Sequence, residues 1–145
     1  LNVVTDQDAP RFDTKIVLVL RADLPVWQQL NMTAFLASGV AAGAPDAIGE
    51  NYVDADGTKY QPMFGQPVLV LQGDAEQLAT TLERATGRGL VPAIFTTELF
   101  GTGHDAANRA AVAARPRAAL ELAGVALRGP RREVDKITKG LRLYG

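Results

Sequence analysis

Lys15-Ile-Val-Leu-Val-Leu-Arg-Ala-Asp-Leu24 is the stretch that decides how this chain folds. Ile16, Val17, Leu18, Val19 and Leu20 leave no polar position at the two-residue period of a half-exposed strand. The stretch therefore predicts a strand covered on both faces. It exits through a charged Arg21-x-Asp23 turn. A strand buried on both sides needs helices above and below its sheet, which puts the chain in the α/β class.

Outward from that strand, residues 30–42 read as a helix with Leu30, Ala34, Ala37 and Ala41 on one face, stopped at Gly43-Ala-Pro45. Residues 51–60 read as a surface hairpin turning at Asp56-Gly57. Residues 68–71 predict a second strand. Asp74 then caps a helix running to Thr86, with Leu78, Leu82 and Ala85 inward. Residues 90–95 predict a third strand, with Pro92 pointing to an edge or first-residue position. A polar loop over 96–103 leads to an alanine-rich helix over 105–114. A fourth strand over 120–127, a last helix over 133–139 and an extended tail over 141–144 complete the order. The expected architecture is a four-stranded, mostly parallel or mixed sheet flanked by helices. One domain over 1–145 is expected, with an N-terminal arm at 1–14 and a helical insertion at 105–119.

A chain of 145 residues can bury a proper core without staples, and it contains no cysteine for disulfides or thiolate chemistry. The expected compartment is the cytoplasm, with no membrane span and no signal segment in the aspartate-bearing residues 1–14. Net charge is −1, which argues against a surface devoted wholly to nucleic acid. The charge is nonetheless uneven: from Arg115 onward eight basic side chains face three acidic ones. That C-terminal basic lobe is the reason to hold anion or RNA binding as a further alternative.

The opening stretch, together with the closing Asp135-Lys-Ile-Thr-Lys-Gly-Leu-Arg-Leu-Tyr144, resembles the two ends of the type II peptidyl-tRNA hydrolases. The resemblance implies their three-layer architecture. It does not carry their chemistry, because the hydrolase lysine and glutamine positions fall on Leu30 and Ala34, and the threonine opening the fourth strand falls near Leu122. A leucine cannot stabilise developing negative charge. Only Glu98 stands where the family keeps a carboxylate. Leu24-Pro-x-Trp-Gln-x-Leu-Asn31, Asp54-x-Asp-Gly-x-x-Tyr60 and Gly129-Pro-x-x-x-Val-Asp-Lys136 are similar to a particular prokaryotic family, called domain of unknown function two thousand. No activity comes with it.

The expected site is a cleft at the ends of strands one and three, binding a small polar ligand or a protein partner. Its ligand-binding candidates are Arg21, Asp23, Trp27, Gln28, Asn31, Thr96, Thr97 and Glu98. Ligands of open α/β sheets bind at the carboxyl ends of strands, which is why Arg21 and Asp23 lead that set. The alternative is a divergent hydrolase in which Glu98 acts with Asn31 or His104; it needs those groups to converge within hydrogen-bond reach. Asn31 also suits a helix cap, Trp27 a core or interface plug, and His104 a solvated helix start. No cofactor is expected. No metal is expected either: Asp54-x-Asp56-Gly57 opens like a calcium loop, but the later ligands are missing. The small-residue face Ala34, Ala37, Ser38 and Ala41, beside Trp27 and Phe35, predicts a homodimer through that helix or through residues 105–114.

Overall fold

The computed structural model describes residues 10–145, so residues 1–9 of the expected N-terminal arm lie outside the described residues. The elements run β1 (Thr14–Arg21), α1 (Val26–Gly43), β2 (Tyr52–Val53), β3 (Lys59–Tyr60), β4 (Val68–Gly73), α2 (Ala75–Gly87), β5 (Ala93–Thr96), α3 (Asp105–Ala113), β6 (Leu122–Pro130), α4 (Arg131–Ile137) and β7 (Arg142–Leu143). Short 3-10 turns cover Pro45–Ala47, Thr97–Phe100 and Arg117–Ala119. Thr14, assigned to the arm by sequence, already opens β1.

The main sheet has five strands in the order β5-β6-β1-β4-β7, not the expected four. The fifth is the C-terminal tail, whose Arg142 and Leu143 pair with Gln72 and Leu71 on β4. A two-residue strand has too little pattern to be read from sequence. The sheet is mixed: β1 and β4 are parallel, while β6 runs antiparallel to both β1 and β5. β1 is central, which is what its unbroken aliphatic run requires.

Alternate residues of β1 feed two cores. Val17 and Val19 join Leu78, Leu82 and Ala85 of α2 and Val134 and Ile137 of α4. Ile16, Leu18 and Leu20 join Met32, Leu36 and Val40 of α1 with Phe95 of β5. The result is a three-layer sandwich, in which each fully buried large side chain contributes roughly 1.5–3 kcal/mol by leaving water. The α1 layer sits close to the sheet because β6 offers Gly124 and alanines beneath it. A Cβ on Gly124 would stand 2.7 Å from Leu36 Cδ1 and 2.9 Å from Met32 Sδ.

α2 follows the sequence reading closely. Asp74 Oδ1 accepts from Gln77 N at 2.8 Å, and Gln77 Oε1 accepts from Asp74 N at 2.9 Å, closing a capping box. α1 departs from it. The helix starts at Val26, directly after Pro25, so Trp27 and Gln28 are helical rather than loop residues, and Asn31 lies in its second turn instead of capping it. The buried face is Gln29, Met32, Leu36 and Val40, while Leu30 is 68% exposed and Ala34 is exposed. Of the residues expected to share one face, Leu30 and Ala34 are thus turned to solvent, while Ala37 and Ala41 are half-buried. Pro25 marks the earlier start: its fixed φ suits the position just before a helix, and the added first turn brings Gln29 onto the inner face.

Candidate functional site

Arg21 ends β1, and its guanidinium grips Asp23 with two bonds, Nε to Oδ1 at 3.0 Å and Nη2 to Oδ2 at 2.8 Å. The fork geometry suits a planar carboxylate. That hydrogen bonding holds the Asp23 carboxyl below its ordinary pKa, with the Arg21 charge adding to it and desolvation opposing. It raises Arg21 correspondingly, with partial burial opposing and the fields of Asp23 and Glu121 reinforcing it.

Glu121 reveals the layout of the site. Because β6 runs antiparallel between β1 and β5, the approach to its first residue lies between the exits of strands one and three as numbered in the sequence. The two strand ends expected to form a cleft are therefore not neighbours. Glu121 stands between them: its backbone oxygen accepts from Thr97 N at 2.9 Å and its Oε2 from Thr97 Oγ1 at 2.9 Å. Thr96 is fully buried, and its hydroxyl donates to Glu98 Oε2 at 3.4 Å. Arg115 Nη2 stands 3.3 Å from Glu98 Oε1 without an aligned hydrogen bond.

The wall beside these groups is aromatic. Trp27 meets Phe100 edge-on at 5.8 Å between ring centroids, Phe100 meets Phe95 at 4.7 Å, and Phe95 meets Phe35 at 5.8 Å. Such pairs add roughly 0.5–1.5 kcal/mol beyond their burial. Asn31 falls one helical turn from both Trp27 and Phe35 and is exposed. Gln28 is half-buried in the same first turns.

The hydrogen bonds join Arg21 to Asp23, Thr96 to Glu98 and Thr97 to Glu121. Among the described residues none joins Asn31, Glu98 and His104. His104 caps α3, its Nδ1 accepting from Ala107 N at 3.2 Å, so one ring nitrogen is committed to the backbone. Among the described residues, no three of the His, Asp and Glu side chains gather closely enough to hold a metal ion. No helix there is long and apolar enough to cross a membrane.

Two participants were not singled out from sequence: Glu121 and Gln29. Gln29 is 6% exposed; its Nε2 donates to Leu24 O at 2.6 Å, while its Oε1 is buried with no partner. Pro25 carried the signal for Gln29. Once the helix is started there, Gln29 falls in phase with Met32, Leu36 and Val40 on the inner face. Nothing local marks Glu121, whose place depends on strand order.

Part of the basic C-terminal lobe is drawn back onto the body. Arg117 pairs with Glu83 at 2.8 Å, Arg128 with Asp46 at 3.3 Å and Arg115 with Glu98. A cavity of about 400 Å³ also opens beside Asp23, between the ends of β1 and β4, with Gln72, Asp74, Gln77 and Arg142 in its lining.

The model of a family described as protein of unknown function (DUF2000) matches residues 14–145. A solved structure of a protein of unknown function, Atu0240 from Agrobacterium tumefaciens strain C58, is similar over 93% of this chain and 100% of that one, at 44% identity and a TM-score of 0.90. No match was found among curated proteins.

Proposed function

The chain belongs to the DUF2000 family, and from that premise we propose that it is a binding domain on a scaffold of the type II peptidyl-tRNA hydrolase kind, with the hydrolytic chemistry lost. Its binding site is the sheet end flanked by the first turns of α1, and its ligand is a small polar molecule carrying a donor for the free Gln29 carbonyl. The observation that carries this reading is the mutual pairing of Arg21 with Asp23 and of Glu121 with Thr97. Charged groups held by their neighbours are poorly placed to exchange protons with a substrate, whereas they make a fixed polar frame.

Leu30 and Ala34, aligned with the hydrolase lysine and glutamine, both lie on the solvent side of α1. Neither supplies the preorganised positive charge that acyl release from an RNA ester demands. A buried, unpartnered amide oxygen costs about 1–3 kcal/mol, which a ligand N–H or a bridging water would recover.

Peptidyl-tRNA release by the purified protein tests the loss of chemistry. The expected outcome is no turnover above background, and a rate within tenfold of an authentic peptidyl-tRNA hydrolase would overturn the reading.

A further inference from the structure

α1 has 18 residues and not one is charged. Its outer face nonetheless meets solvent, with Val26, Trp27, Leu30 and Phe35 each between 53% and 68% exposed. A helix on the surface of a globular protein ordinarily turns a charged face outward, and one that is apolar all round is normally covered. A second uncovered apolar surface exists on the same chain. Tyr52, Val53 and Tyr60 of the β2–β3 hairpin, with Met63 just beyond it, are between 51% and 58% exposed.

A two-stranded hairpin alone in water is marginally stable, and this one is held by polar bonds instead of by a core. Asp54 Oδ1 accepts from Asp56 N and Thr58 N, each at 2.9 Å, and its Oδ2 accepts from the Tyr60 hydroxyl at 2.7 Å. At its base Gly49 N donates to Met63 O and Gly65 N to Ala47 O, both at 2.8 Å. The two glycines face each other so closely that a Cβ on Gly65 would stand 3.2 Å from Gly49 Cα. The arm is preformed, with its apolar side chains displayed.

We infer that the hairpin of one copy covers the N-terminal half of α1 on a second copy, and reciprocally, in a two-fold dimer. The positions of the two surfaces support this pairing. The hairpin follows the C-terminal end of α1, and Val26, Trp27 and Leu30 lie in its first two turns with Phe35 near its middle, so the patches sit toward opposite ends of a helix about 27 Å long. Two α1 helices laid antiparallel across a two-fold axis bring each hairpin onto the partner's Val26, Trp27 and Leu30. Exposed Ala34, Ser38 and Ala42 lie between, small enough for the helices to approach. Such a contact is self-complementary and closes, unlike a head-to-tail one.

The area agrees with a dimer. An aromatic side chain that can bury ~150–250 Å² leaves roughly 100 Å² uncovered at half exposure. The four aromatic residues named offer roughly 400 Å² per copy on that basis, and the exposed Val26, Leu30, Val53 and Met63 add to it, toward the per-partner size of roughly 800 Å² of a standard specific interface.

Crosslinking decides it, since the chain has no native cysteine. Leu30→Cys and Met63→Cys are made as separate full-length proteins, checked for fold by circular dichroism, and mixed under oxidising conditions. A disulfide dimer is expected from the mixture well above either variant alone, with wild-type protein at twice the 15.4 kDa chain mass by light scattering at about 10 μM. Leu30→Glu and Val53→Glu should each raise the dimer dissociation constant at least tenfold. A monomeric wild type, crosslinking only in Leu30→Cys alone, or dimerisation unmoved by Val53→Glu would overturn the inference. Binding of the wild type to another protein or to vesicles while it stays monomeric would do the same.

Discussion

The two faces of the sheet are built to different specifications. On one, α2 is capped by a reciprocal box, shows Glu76 and Glu83 to solvent, and is tied down by Arg117–Glu83 at 2.8 Å; beside it, Arg88 reaches Glu133 of α4 at 2.9 Å. On the other, α1 has no side-chain cap and no charged residue, and it leaves large apolar groups in water. Both helices bury a well-defined inner face, so beyond the cap the difference lies in what each shows outward. A helix finished with charge ends the molecule, whereas one left apolar continues it into something else.

That contrast predicts equal cores beneath unequal surfaces. Leu78→Ala on the α2 side and Leu36→Ala on the α1 side should each cost about 2–5 kcal/mol by urea denaturation, since both side chains are essentially fully buried. A Leu36→Ala cost below ~1 kcal/mol would mean that the α1 layer is only loosely seated. A smaller effect sharpens the difference at the helix starts. Asp74→Ala should lose about 1 kcal/mol in the same measurement, because the α2 cap goes with it. The matching change before α1, Pro25→Ala, removes no side-chain bond and should stay well under that figure.

The smallest expected effect is electrostatic. Asp23 is held below its ordinary pKa by Arg21, so it stabilises the fold above its unfolded value near ~3.9 and loses that contribution as pH falls through the folded value. Asp23→Asn should therefore lower stability by under about 1 kcal/mol at pH 6, the pair being solvent-screened. The gap between variant and wild type should close as pH drops below about 4. A difference that persists to pH 2 would assign the loss to packing and not to charge.

Legibility in the sequence followed how local each cause was. The aliphatic run of β1, the Asp74 cap with Leu78, Leu82 and Ala85 beneath it, and the Asp56-Gly57 turn are short-range signals, and the structure carries all three; Gly57 takes φ +84° at that turn. The edge position suggested by Pro92 is that of β5. α1 was legible as a helix but not from its first turn, because Val26 to Gln29 precede the alanine repeat that marks it. The fifth strand and the place of Glu121 were out of reach, since both depend on which distant strand lies alongside. Of the expected site, Arg21 with Asp23 was readable as a neighbouring pair. The separation of the two strand exits by β6 was not.

Lys15 reaches Asp135 at 2.7 Å across 120 positions of chain, and β1 pairs along its length with β6. The middle strand of the sheet is thus made long before its neighbour on that side. At ~5–20 residues per second, ribosomal synthesis leaves Ile16 to Leu20 waiting for roughly 5–20 s before the residues of β6 exist. During that interval five aliphatic side chains have β4, α1, α2 and Phe95 of β5 for shelter, but no β6. A nascent chain released before Leu122 would present an unpaired, fully apolar strand edge, the kind of surface that aggregates or recruits a chaperone. The long-range closure that completes the native sheet leaves any chain cut before β6 with that edge open.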